Sequence, residues 1–157
     1  MSIVSLVKGC PLFHEIYDKE IEQILKQCSV ASFKKDEVII QQNDTSSDIG
    51  IILAGAADIL VEKNGKEQFI VSIGQGDLFG ELVLINELKR TATIRATKNT
   101  DILIISYDNF YSFYSKKPAV FALMVLNLTR LITKRLKSAN TLIENLSKEM
   151  QDLKKSA

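Results

Sequence analysis

Within the stretch FGELVLINELKRTATIRA, Phe79–Ala96, one acid and one base flank a short segment that opens on a glycine, the residue types that an anionic sugar phosphate needs. An anion leaving water requires fixed donors, and the first N–H groups of a helix are unpaired donors at the positive end of its dipole. A short helix from Gly80 to Ile85 supplies such an end. Gly80 has no Cβ, so backbone can approach a ligand closely, and the N–H groups of Leu82 and Val83 can point at phosphate oxygens. Arg90 offers a planar fork that matches two of those oxygens. Glu81 repels phosphate but accepts from a ribose hydroxyl, so acid and base together suit a nucleotide better than a bare phosphate. A plainer alternative is that Glu81 and Arg90 pair with each other across a strand-to-helix turn, a surface contact worth about 0–1 kcal/mol. Spacing alone leaves both open.

The elements that must hold these residues show in period and punctuation. Between Val30 and Ser106 the short β-branched runs VASF, EVII, IGIIL, ADILV, QFIVSI, TATIRA and DILIIS are separated by turn residues, the spacing of a sandwich or barrel. Asn64-Gly65, which readily takes positive φ values, predicts a type I′ hairpin between ADILVEK and KEQFIVSI. Only Phe79–Ala96 interrupts the block with helix, which places its ligand inside the rolled sheet. After Ser106 the period turns helical: Asp108–Lys117 predicts a short helix, and Pro118 stands just before or in the first turn of a long one. Along that helix Ile132, Leu136, Ala139, Ile143, Leu146, Met150 and Leu153 recur at alternating steps of four and three, a heptad seam. The first half is apolar on nearly every face, through Phe121, Leu123, Met124, Val125, Leu126 and Leu128, as in a helix lying on its own domain. Beyond Ala139 the stripe narrows to two positions per heptad, with Lys134, Arg135, Lys137, Glu144, Lys148 and Glu149 beside it. That predicts a projecting coiled coil and a parallel homodimer, against the alternative of a helix that folds back.

Composition removes several function classes. The 157 residues, 46% hydrophobic, suffice for one domain with a core plus a tail. With 20 basic and 19 acidic residues, the net charge of +1 gives no field for nucleic acid or membrane. The longest apolar run, Ala119–Leu126, is far short of the ~20 residues of a membrane helix, and no signal-peptide core is present, so a cytoplasmic location is expected. Cys10 and Cys28 stand outside any CxxC or histidine-rich pattern and read as buried or idle thiols. A single histidine, His14, lies before the first strand. Metal-dependent barrel enzymes rely on several, and no EF-hand loop, P-loop or GxSxG elbow occurs, so neither enzymatic activity nor a cofactor is expected.

FGELVLINELKRTATIRA resembles, without a gap, the phosphate-binding cassette of cyclic nucleotide-binding domains, found in kinase regulatory subunits, cyclic nucleotide-gated channels and catabolite activator proteins. The resemblance runs from about Leu6 to Leu146: LVKGCPLFHEI is similar to the family's N-terminal helical element, and NDTSSDIGIILAGAADILV, Asn43–Val61, to its strand-turn-strand. In the latter, Asn43 stands for a glycine, Gly50 for an aromatic residue and Ala54 for a serine. In the cassette, Lys89 stands where most members have proline, and Thr91 where many have alanine or serine. The implied fold is mainly β with flanking helices: an eight-stranded jelly-roll-like β-roll with N-terminal helices, a short cassette helix and a long C-terminal helix. It places the domain at residues 1–137 and a coiled-coil extension of the helix at residues 138–157.

The implied ligand is a cyclic nucleotide, cyclic AMP ahead of cyclic GMP. Gly80 and Glu81 would hold the ribose 2′-hydroxyl, Arg90 the cyclic phosphate, and backbone at Val83, Thr91 and Ala92 would finish its coordination. By similarity of ITKRLKSANTLIENL to the dimer helix of catabolite activators, Arg135 would sit near the cassette acid and Asn140 near the purine edge. Asn140 carries both donor and acceptor atoms. Ala139 takes a position where activators commonly carry a hydroxyl, and a Thr91-type hydroxyl favours guanine in some relatives and not in others, so the residues leave the purine open. In activators a DNA-reading module follows this helix. Here the sequence stops at Ala157, so no direct sequence-specific DNA binding is expected, and signalling would pass through the helix to an effector protein. The alternative function is a dimeric interaction protein whose pocket is vestigial or differently occupied.

Overall fold

The computed structural model describes residues 2–84 and 89–156. Helix α1 (Ile3–Val7), a 3₁₀ turn at Pro11–Phe13 and helix α2 (Asp18–Leu25) precede eight strands. These are β1 (Ser29–Phe33), β2 (Val38–Ile40), β3 (Ile49–Ala54), β4 (Ala56–Lys63), β5 (Lys66–Gly74), β6 (Leu78–Phe79), β7 (Thr93–Ala96) and β8 (Thr100–Ile105). A 3₁₀ turn, Glu81–Leu84, follows β6, and helices α3 (Tyr107–Lys116) and α4 (Pro118–Ser156) close the chain. The strands form two antiparallel four-stranded sheets, β1-β8-β3-β6 and β2-β7-β4-β5. This is the eight-stranded roll with flanking helices implied by the sequence. Asn64 and Gly65, at φ 55° and 72°, make the β4–β5 turn, with Lys63 opposite Lys66.

Sheet β1-β8-β3-β6 is covered on both faces, which is why IGIIL is continuously apolar instead of alternating. Ile49, Ile51, Leu53, Leu103 and Ile105 pack outward with Leu12, Phe13, Ile21, Ile24, Phe110, Phe113 and Met124 from the helical layer. Ile52 and Ile102 turn inward, where Ile40, Ala57, Phe79 and Ile94 complete a smaller core inside the roll. Gly50 faces Phe79 across the β3–β6 ladder, and a Cβ on Gly50 would come within 2.1 Å of that ring. The aromatic residue missing at position 50 is thus made good from the opposite strand. Asn43 takes φ 72°, a left-handed conformation that asparagine tolerates better than other non-glycine residues. Burial pushes both Cys10 and Cys28 up to about 12, so these thiols stay protonated and unreactive near neutral pH.

One buried side chain joins the first helices to the last. Asn127 on α4, 1% exposed, donates through Nδ2 to the carbonyls of Leu12 at 3.0 Å and His14 at 2.7 Å, and accepts from Arg130 at 3.1 Å. Replacing it by alanine strands those carbonyls, at a cost of about 1–3 kcal/mol. For a chain of this size each kcal/mol is worth about 2–4 °C, so a scan of Asn127→Ala should show a fall of about 2–12 °C. An unchanged melting temperature would mean that water replaces the amide without penalty.

From Pro118 to Arg135, α4 lies on the body. Every described side chain from Leu136 to Lys155 is exposed, so the helix projects and does not fold back. At a rise of 1.5 Å per residue the whole helix is about 58 Å long.

Candidate functional site

The cassette starts where β6 ends. Gly80 has φ +79°, and a Cβ there would come within 2.7 Å of Arg90 Nη1 and 3.1 Å of the Asp48 carbonyl. Glycine is required at this position by conformation and by the close approach of the arginine alike. Of the helix expected from Gly80 to Ile85, the described residues show a 3₁₀ conformation over Glu81–Leu84; Ile85 lies outside them.

Glu81 and Arg90 do not pair with each other. Glu81, 6% exposed, takes its hydrogen bond from Nη1 of Arg135 on α4, whose Nη2 donates to the carbonyl of Leu78. A carboxylate has room for further donors after this one. Arg90, 5% exposed, spends its bonds on neutral oxygens: Nε to Ser46 Oγ at 2.9 Å, Nη1 to the Gly80 carbonyl at 3.2 Å and Nη2 to the Asp48 carbonyl. Among the described residues no carboxylate lies within ion-pair distance of it. Burial lowers the pKa of its guanidinium, with Asp48 and Asp44 opposing that at longer range. A guanidinium remains charged in spite of this, so the site holds a desolvated cation facing a cavity.

That cavity measures about 240 Å³, a small-molecule scale. Gly80, Glu81, Leu82, Val83, Arg90, Thr91, Ala92 and Arg135 all line it. Lys89 adds a cation, and Ile40, Ile59, Phe79 and Ile94 form apolar walls suited to the faces of a sugar or a base. Eight of the nine candidate residues are therefore brought together. Asn140 is not: it is exposed and outside the lining. Five residues after Arg135 on one helix, it points about 140° away around the axis. Among the described residues no group of three or more His, Cys, Asp or Glu side chains could hold a metal ion, and no helix is long and apolar enough to cross a membrane.

Both α3 and α4 send a hydrogen-bonding side chain to the cassette. Besides Arg135, Tyr111 on α3 donates its hydroxyl to the Leu84 carbonyl at 2.6 Å, and burial, with Tyr107 close by, raises its pKa so that the donor is kept. Sequence reasoning missed Tyr111, Lys89 as a lining residue, Ser46 and the Asp48 carbonyl. Ser46 gives no sign in the turn-rich NDTSSD, and a backbone carbonyl has none to give.

Two four-stranded sheets with helices on one side carry a glycine-acid turn and a buried arginine on the wall of one small cavity. Residues 30–117 match the cyclic nucleotide-binding domain family, and the chain belongs to that family. Domains of this family are regulatory modules, not enzymes. The chain is 26% identical over 144 residues to the cyclic AMP receptor protein of Thermus thermophilus, covering 91% of this chain and 65% of that protein. It is 36% identical over 101 residues to the rice potassium channel KAT3, covering 64% of this chain and 20% of the channel. It therefore spans less than two thirds of either relative. A solved cyclic nucleotide-binding domain from Methylobacillus flagellatus superimposes with a TM-score of 0.78 over 87% of this chain and 77% of that one, at 23% identity, which speaks for the fold.

Proposed function

We propose that the chain is a cytoplasmic cyclic nucleotide sensor, preferring cyclic AMP to cyclic GMP, that reports occupancy through α4. The observation that carries this reading is Arg90, a buried cation without a described carboxylate partner, at the wall of a nucleotide-sized cavity whose opposite charge, Glu81, is held by α4 itself. Arg90 takes the cyclic phosphate together with backbone at Leu82, Val83, Thr91 and Ala92, while Gly80 and Glu81 take the ribose 2′-hydroxyl. Cyclic AMP is placed first because the Thermus relative is a receptor for it.

A hydroxyl arriving at Glu81 shares the carboxylate with Arg135, and phosphate drawn to Arg90 pulls on the turn that Tyr111 holds. Either changes how α3 and α4 seat on the β-roll, and a coupling of about 1–3 kcal/mol between pocket and helix is ordinary. Residues 138–157 then act as a dimerisation segment that an effector reads. Asn140, turned from its own cavity, meets a purine only from the partner subunit. Calorimetry of the full chain with each nucleotide tests the reading: binding is expected with both, tighter for cyclic AMP. No heat with either would sink it and leave an interaction protein with a vestigial pocket.

A further inference from the structure

Arg90 stands between two cavities. It lines the cleft described above and also a second, apolar space of about 140 Å³ within the roll, walled by Phe33, Ile39, Gly50, Ile102 and Ile104. Ser46 and Asp48 line the second and not the first. A long side chain between two spaces needs a device that fixes which one it serves, because an unheld guanidinium loses its alignment to entropy.

The loop 43–48 supplies that device. Its backbone grips Arg90 at both ends, Asn43 N donating to the Arg90 carbonyl at 2.8 Å and Arg90 N to the Asp44 carbonyl at 2.8 Å. Its side-chain contact is Ser46 Oγ, 2.9 Å from Nε. Of the five N–H donors of a guanidinium, Ser46, Asp48 and Gly80 engage three, leaving one on each terminal nitrogen, the number a two-oxygen phosphate contact uses. All three acceptors are neutral, so the hold costs the arginine none of its charge. An aspartate at position 46 would hold the same atom and neutralise it.

We propose that Ser46 is a positioning residue for the anion site: its hydroxyl accepts from Arg90 Nε and keeps the guanidinium on the wall of the first cavity with its charge unspent. This rests on the nucleotide reading for its consequence, though not for the contact itself.

The test uses the full chain. Ser46→Ala should weaken cyclic AMP binding by calorimetry about tenfold, the scale of one hydrogen bond to a charged group. The melting temperature without ligand should fall by up to a few degrees, the cost of leaving one N–H of a buried guanidinium without its acceptor. Ser46→Thr keeps the hydroxyl and should restore affinity, and in an Arg90→Lys background, which lacks Nε, Ser46→Ala should add nothing. A loop-packing role would instead lower the melting temperature and the affinity by the same amount in both backgrounds. Independently of any nucleotide, the ¹⁵N-resolved Nε–H signal of Arg90 should shift and exchange faster in Ser46→Ala. Wild-type affinity in Ser46→Ala, or an unmoved Nε–H signal, overturns the proposal. A wild type that binds neither nucleotide, with an Nε–H signal that still moves, removes the functional reading and leaves Ser46 as the residue that places Arg90.

Discussion

Arg90→Leu is expected to abolish measurable high-affinity nucleotide binding while leaving the domain folded. Truncating one partner of a buried charge contact costs about 2–5 kcal/mol, so the dissociation constant should rise by about thirtyfold to several thousandfold. Stability should behave differently. Arg90 is 5% exposed and pays for its desolvation with three bonds to neutral oxygens, none to a described carboxylate. Replacing a poorly compensated buried charge by an apolar side chain is often neutral or stabilising. Melting scans separate the two effects. Ligand at a hundred times its dissociation constant stabilises the wild type by about 2.7 kcal/mol, a rise of about 5–10 °C in a chain of this length. In Arg90→Leu that rise should vanish, with a ligand-free melting point within a few degrees of wild type. A variant that keeps the ligand-induced rise would show that the phosphate is held elsewhere, with Lys89 the next cation in the cleft.

How far such expectations were readable in the chain depended on whether the signal was local. The hairpin at Asn64-Gly65 is decided by two residues that accept positive φ, and the structure has it there. The break from period two to a helical period near Ser106 marks α3 to within a residue, with Ser106 capping Asn109 N. Strand β6 is two residues long and had no period to show. The cassette segment was expected to be helical for the free N–H groups a helix start offers an anion, and Glu81–Leu84 have 3₁₀ conformation. Site geometry was legible where a residue type has few uses, as with Gly80 and Arg90. It was illegible where the partner is a carbonyl or a common side chain: Asp48, Ser46 and Tyr111 look like any turn or helix residue until the fold brings positions 46 and 90, or 84 and 111, together. Asn140 stands apart from the cavity of its own chain for a different reason. Its place beside Arg135 in the sequence is about 140° away on the helix, so one chain cannot turn both to the same cavity.

The exposed half of α4 leads to the second large effect. Leu136, Ile143, Leu146, Met150 and Leu153 are 59%, 60%, 50%, 59% and 71% exposed, and they fall on the seam read from the sequence. Val125, 40% exposed, lies one heptad before Ile132 and carries the same line back toward the body. Most helical stability in proteins comes from packing an apolar face, so this exposed stripe needs a cover. A second copy of the same stripe fits it by symmetry, with a and d side chains meeting their equivalents. Truncation after Ala139 removes Ile143, Leu146, Met150 and Leu153 from each helix. Full burial of one such side chain is worth about 1.5–3 kcal/mol, so even partial burial of eight in a dimer exceeds 3 kcal/mol, and the dimer dissociation constant should rise more than about a hundredfold. The body should remain folded, because none of its buried residues lies beyond Leu128. Sedimentation of the two forms at equal concentration is the measurement. The truncated chain should run as a monomer where the full chain runs as a dimer, with the same β-sheet signal in circular dichroism. If both sediment alike, the stripe serves another partner or none, and Asn140 loses its route to a purine.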